Sequence, residues 1–419
     1  MQYAPTLSLP AMPPGGVTAG LDWASADHAV CVIDAATGAV ISRFTIEHTT
    51  AGLAELVRRL AKASATEIAI ERGDGPVVDA LLTAGVTVVV ISPNQLKNLR
   101  SRYGQAGNKD DRFDAYVLAD TLRTDRARLR PLQPDSPATV SLRATVRARR
   151  DLVAHRVAVC NQLRAHLQRV FPGVVGLFRD LDSPISLAFL ARFDCQDRAD
   201  WLSPKRLAAW LASAGYSGRK DPTILFGHLT SAPRGATSDQ GGALAHTTRA
   251  LLAVLRSLAE QIKALSEQIA EQLALHADGH IFTSLPRSGT VRAARLLAEI
   301  GDCRARFPDP ESLICLAGVA PSTRQSGKHK AVTFRWAVNK QLRDAVCDFA
   351  ADSRRAHPWA AQLYNHHIAR GKDHPHATRI LARAWLYVIW HCWHDHNAYD
   401  PTQHGALQRL LKQDQQAAA

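Results

Sequence analysis

The sequence predicts an α/β domain followed by a mainly helical remainder. Three observations carry this. Strand-like apolar runs alternate with amphipathic helical stretches up to about residue 135, two long stretches with heptad spacing follow, and the last part is rich in helix-forming segments bearing Trp and His. At 419 residues and 46% hydrophobic, the chain can support two or three cored domains. Its charge is uneven. Lys and Arg number 14 against 15 Asp and Glu through residue 135, and 37 against 23 beyond it. A basic excess confined to one part of a chain is the footprint of a phosphate-rich partner. No apolar run approaches the length needed to span a bilayer, which favours nucleic acid over membrane. The seven cysteines are scattered and form no CxxC, excluding a disulfide framework and a zinc ribbon, so a reduced, cytoplasmic protein is expected. Residues 1–17 lack the pattern of a signal peptide and are read as a disordered tail.

The elements follow in order. "VTAGLDWAS", "HAVCVIDAATG" and "AVISRFTIEHT" read as three strands of an antiparallel meander. "AGLAELVRRLAKASA" places Leu53, Leu56, Val57 and Leu60 at helical spacing. A strand "TEIAIE", a helix "PVVDALLTAG", a doubly buried strand "VTVVVIS" and a helix from "KDDRFDAYVLADTLR" complete the domain. The order β-β-β-α-β-α-β-α matches ribonuclease-H-like nucleases. Beyond it, Val146, Val153, Cys160 and Leu167 recur every seven residues, with Arg143, Arg147, Arg149 and Arg150 near the start of their stretch. A second stretch carries a seam of Leu251, Leu255, Leu258, Ile262, Leu265 and Ile269, which fits a coiled coil closed within one chain or between chains. Trp385, Tyr387, Trp390 and Trp393 are read as helix-packing residues.

Asp22 falls inside the first strand, where a charge is costly without a partner. Glu71 ends the strand expected beside it, and Asp111 and Asp114 lie three apart, on one helical face. Converging carboxylates repel unless a cation lies between them, and hard oxygen ligands suit Mg²⁺ or Mn²⁺. Asp110 is read as a solvated neighbour.

"GLDWA", "IERG" and "NKDDRFDA" resemble the motifs of the DEDD transposases of bacterial insertion sequences, the group that includes the Piv DNA invertase and the bridge-RNA-guided recombinases. The third motif of that family usually reads KTDxxDA, and here Asp110 stands in the Thr place. The segment "TSLPRSGTVRAARLLAEIGDCRARFPDPESLICLAGVAPSTRQSGKHK" resembles its C-terminal transposase domain, although Arg287 and Ser288 replace the usual Gly-Ile of the turn. The resemblance implies a RuvC-like, RNase H-fold domain over 18–135, a coiled-coil region over 136–279 with an insertion at 172–245, a transposase domain over 280–400, and a tail over 401–419. It implies that Asp22, Glu71, Asp111 and Asp114 bind metal and act in catalysis, and that Ser326 of "QSG" is the nucleophile. A serine needs activation, and Arg324, Lys328, Lys330 and Arg335, with Lys340 and Arg343 beyond, supply cations for nucleic acid. Residues 324–383 hold 12 Lys and Arg against 4 acids. The implied activity is DNA recombination through a covalent phosphoserine, by a homo-oligomer (dimer or tetramer) acting on donor and target DNA in the nucleoid with a noncoding guide RNA. A metal-only junction nuclease and a non-catalytic nucleic-acid-binding protein are the alternatives.

Overall fold

The computed structural model describes residues 9–13, 15–104, 110–327 and 329–418. The chain divides into two compact units. One runs through Pro134 and includes Cys303–Asp309; the other comprises Asp135–Asp302 and the chain from Pro310 onward.

The first unit is built on a five-stranded sheet. β1 (Val17–Trp23), β2 (Asp27–Asp34) and β3 (Val40–Glu47) form the antiparallel meander, and α1 (Thr50–Lys62) returns the chain to β4 (Glu67–Ile70), which pairs parallel to β1. α2 (Pro76–Thr83) leads to β5 (Thr87–Val90), giving the order β3-β2-β1-β4-β5. α3 (Pro93–Arg100) and α4 (Asp111–Thr124) follow. Alternation sorts the strand side chains into two cores. Leu21, Val30, Val32, Ile68, Ile70 and Val88 pack with Leu56 and Leu60 of α1 on one face, while Ala69 and Val89 pack with Val117, Leu118 and Leu122 of α4 on the other. This two-faced burial is why β4 and β5 are continuously apolar after Glu67 and Thr87. Of the segment expected to be a tail, residues 1–8 and 14 lie outside the described residues, but Leu9 is buried in the α4 core and the Pro10 carbonyl accepts from Arg126 at 2.6 Å.

The second unit centres on two long helices, α5 (Pro137–Val170) and, later, α10 (Ser238–Leu275). Between them α6 (Pro184–Arg192), α7 (Gln196–Ala199), α8 (Pro204–Ser213) and α9 (Pro222–Ser231) form a small helical core around Phe171, Phe189 and Phe193. α5 and α10 run antiparallel, because Thr139 meets His276 (2.8 Å), Arg149 meets Ser266 (2.7 Å) and His166 meets Thr248 (3.0 Å). The heptad seam is thus closed within one chain, with Leu255, Ile262 and Ile269 buried and Leu251, Leu258 and Leu265 half-buried. α11 (Gly279–Thr283), α12 (Gly289–Ile300) and α13 (Pro310–Leu316) precede a hairpin of β6 (Ser322–Ser326) and β7 (His329–Thr333). Arg143 and Arg147 tie α5 to α12, through the Ala298 carbonyl (2.6 Å) and the buried Glu299 (2.7 Å). α14 (Lys340–Ser353), α15 (Pro358–Ala369), α16 (His374–His394) and α17 (Gly405–Ala418) complete the unit. Trp385, Trp390 and Trp393 are buried core residues, as their spacing suggested. Among the described residues, no helix is long and apolar enough to cross a membrane.

Beside that tryptophan core, buried His357 bonds Tyr399 Oη at 2.8 Å, and the same hydroxyl meets His404 Nδ1 at 2.8 Å. Burial, reinforced by the charge of His404, pushes the His357 pKa down from 6.5 to about 4. The folded state then binds fewer protons than the unfolded chain between those values, so stability is lost as pH falls through that window. Thermal melting from pH 7 to 4 is expected to show this loss, and His357→Gln to flatten it. An equal slope in the variant would assign the loss elsewhere.

Candidate active site

Three acids of the first unit converge. Asp22 stands near the end of β1, and Glu71 directly follows β4, whose Ile70 is the parallel partner of Leu21. The two positions are therefore neighbours at one edge of adjacent strands. Asp114 arrives from α4, which crosses β1 at Gly20. A Cβ there would stand 2.1 Å from the Ala115 carbonyl oxygen and 2.5 Å from the Ala119 nitrogen, so only glycine admits the helix this close. Thr18 Oγ1 pins the same helix by donating to the Ala119 carbonyl at 3.0 Å. Ligand oxygens of Asp22, Glu71 and Asp114 consequently lie within 4.8 Å of one another, with Asp22 and Asp114 buried.

Asp111 does not join this group in the structure. Asp110 is the cap of α4, its side chain accepting from the Arg112 N–H at 3.2 Å, and Asp111 is exposed in the first turn. Three residues advance a helix by about 300°, so the carboxylates of Asp111 and Asp114 diverge by about 60° and only the second is buried. The opening residues of the motif, Asn108 and Lys109, lie outside the described residues.

In the second unit, Ser326 ends β6 opposite His329, exposed at the tip of the hairpin, with Gly327 in the left-handed region at φ 55°. Arg324, Lys330 and Lys340 are exposed; Lys328 lies outside the described residues. Arg335 and Arg343 are half-buried, and among the described residues Arg335 Nε and Arg343 Nη1 have no hydrogen-bond partner. Arg343 and Arg379 both stack on Phe334, their guanidinium carbons 4.9 Å and 5.0 Å from its ring centre. Trp336, 79% exposed, packs edge-on against the same ring.

Comparison with known proteins bears on both halves. Residues 19–172 match a family described as Transposase, the DEDD type of IS110, and residues 279–365 match the Transposase IS116/IS110/IS902 family. The chain is 33% identical to the mini-circle putative transposase for IS117 of Streptomyces coelicolor, over 92% of its own length and 95% of the relative's. It belongs to the IS110/IS116/IS902 transposase family. The uncharacterized 42 kDa protein of insertion element IS900 from Mycobacterium paratuberculosis is 28% identical over 92% of the chain and 97% of its own length. The putative transposase y4uE of Sinorhizobium fredii is 38% identical over 39% of the chain and 47% of its own length.

Transposases bind DNA, cleave it and transfer strands, and a DEDD transposase suggests a divalent metal ion. The residues present fit one: the donors are carboxylate oxygens, closely grouped, with two of the three acids buried and Glu71 half-buried. A cation already stands among them. Arg100, the last residue of α3, grips Asp114 through Nε to Oδ1 and Nη2 to Oδ2, both at 2.5 Å. These hydrogen bonds raise the guanidinium pKa against the opposing effect of burial, and the charges of Asp114, Glu71 and Asp22 add to the rise. Arg100 was not singled out from the sequence, where its only signal is a basic residue in the last turn of the helix between the second and third acidic motifs. Phe334 and Trp336 were missed likewise, being ordinary residues until the fold groups them.

The transposase is therefore expected to bind Mn²⁺ in competition with Arg100. Calorimetric titration of Arg100→Gln is expected to show binding tighter by roughly tenfold, which is about 1.4 kcal/mol. Its metal-free melting temperature is expected to drop, since like charges are left facing one another. Weaker metal binding in the variant would mean that Arg100 supports the site.

Proposed function

We propose that the chain is an insertion-sequence recombinase whose first unit is an RNase H-like, RuvC-like domain holding Mg²⁺ or Mn²⁺. The observation that carries the reading is the convergence of Asp22, Glu71 and Asp114 in a chain of transposase family. Asp111, one turn from Asp114 at the mouth of α4, is the fourth acid of the proposed set. A divalent ion bound there supplies charge neutralisation and Lewis acidity at a scissile phosphate.

Ser326 is proposed as the nucleophile. Its Oγ attacks a DNA phosphorus, its proton leaves, and the deoxyribose oxygen departs, so the strand is held as a phosphoserine until a second strand displaces the protein. Arg324, Lys328, Lys330, Arg335, Lys340 and Arg343 hold the phosphates and offset charge developing at the attacked one. Arg335 and Arg343 support this role, since each keeps a buried donor without a partner among the described residues. Choice of donor and target is assigned to a noncoding guide RNA carried by the element, and synapsis to a homo-oligomer, dimer or tetramer. The test is denaturing electrophoresis of labelled DNA after reaction. A labelled band at protein mass that is sensitive to protease supports the serine mechanism, and metal-dependent cleavage without such a band favours the junction-nuclease alternative.

A further inference from the structure

Within the second unit, a groove of about 470 Å³ runs between α14 and the start of α16, with Phe334 in its wall. Phe334 directly follows β7, so the groove lies at the base of the hairpin whose tip carries Ser326. Cys347 and Ala351, on successive turns of α14, and Pro375, in the first turn of α16, supply the rest of its apolar lining. Burial pushes the Cys347 thiol up to a pKa of about 11, the mark of a poorly hydrated wall.

The polar groups in this lining are few and specific. Thr378 is 5% exposed, and among the described residues its Oγ1 has no hydrogen-bond partner. A hydroxyl so placed is costly until something in the groove bonds it. Arg343 and Arg379 also line the groove, and both are stacked on Phe334, which fixes their guanidinium planes. Such a plane is a stacking surface for a base as well as a donor to a phosphate. Asp344 adds an exposed carboxylate, while Asp348, one turn on, is already held by Arg292 at 3.0 Å and by Arg295 at 3.6 Å. A free phosphate would use the arginines and leave the apolar walls and the hydroxyl idle. An apolar side chain would cover the walls and leave the hydroxyl unpaired. A nucleobase, flat, apolar on its faces and polar at its edge, uses all of them.

We propose that this groove takes one unpaired nucleobase turned out of a DNA strand, with the base on the guanidinium planes held by Phe334, its edge bonded by Thr378 Oγ1, and an exocyclic amino group donating to Asp344. Adenine, guanine and cytosine carry such a group and thymine does not, so the groove discriminates against thymine. The proposal rests on the reading of the chain as a DNA-acting transposase. It adds base readout to a surface otherwise assigned to phosphates.

The experiment uses the full chain, Thr378→Val and Ala351→Leu. Valine keeps the shape of threonine and removes an unpaired buried hydroxyl, so Thr378→Val is expected to melt no lower than the parent. Ala351→Leu fills the groove from a helix that leucine suits, and decides the matter if Thr378→Val fails to fold. Deoxyadenosine monophosphate is expected to raise the melting temperature of the parent above its value in deoxyribose phosphate of equal concentration, and thymidine monophosphate to raise it less. Both variants are expected to lose these differences. Binding is then titrated with salt on duplex DNA carrying one unpaired adenine and on its counterpart with an abasic site in that place. The parent is expected to prefer the unpaired adenine about tenfold, within the usual worth of one stacked base, and each variant to lose most of that preference. Salt slopes are expected to stay equal, because a base contact releases no counterion. A smaller slope in Thr378→Val would make the contact one to phosphate and overturn the base reading. A parent that binds no duplex but shows the adenine-dependent shift, abolished in the variants, would keep the groove and overturn the transposase reading. Absence of both the shift and the preference, or a preference that both variants retain, would overturn the groove as a base site.

Discussion

Asp114→Asn is expected to reduce metal-dependent DNA cleavage by roughly a hundredfold to a thousandfold, the usual cost of removing one charge-stabilising group from a preorganised site. The residue is fully buried and is gripped by Arg100 through both carboxylate oxygens. Asparagine keeps the shape but loses the charge, so the substitution weakens the metal's hold and releases Arg100 toward Asp22 and Glu71. Cleavage of labelled DNA in Mg²⁺ and in Mn²⁺, with calorimetric metal titration alongside, checks both consequences. Asp22→Asn and Glu71→Gln are expected to behave alike. Wild-type cleavage by any of the three, in protein with unchanged melting, would remove that residue from the site.

Ser326→Ala is expected to abolish the covalent protein–DNA adduct and strand exchange while leaving DNA binding and melting temperature unchanged. The residue is exposed at a hairpin tip, where loss of a hydroxyl rarely changes stability by more than about 0.5 kcal/mol. Retained binding therefore separates a chemical role from a structural one. A variant that still forms the adduct would exclude Ser326 as the nucleophile. Mixing Asp114→Asn protein with Ser326→Ala protein extends the test, since recovered cleavage in hetero-oligomers would mean that acids and serine meet across protomers.

Much of this molecule was legible before any coordinates. Period-two alternation and the run "VTVVVIS" marked the strands because a side chain in a sheet has only two faces to choose from, and burial decides which. Asp22 and Glu71 stood out because a charge in or at the end of an apolar strand needs a reason. Other features waited for the fold. Whether the Leu251–Ile269 seam meets its own chain or another is invisible in a heptad, and here α5 supplies the partner. The arginines at the start of α5 looked equivalent in sequence. The fold gives Arg143 and Arg147 internal partners and leaves Arg149 among cations.

The sequence by itself determined which residue types were available for metal and phosphate chemistry, and on which elements they would ride. Only the tertiary structure decided which of them meet. Asp111 and Asp114 are three residues apart, yet the buried face of α4 takes one and leaves the other in solvent. Arg100 and Asp114 are fourteen residues apart and make a two-point ion pair. Helix and strand periods are local properties of the backbone, written in neighbouring residues. Convergence depends on how closely one element can approach another, and in this chain Gly20, lacking a side chain, lets α4 bring Asp114 within reach of Asp22.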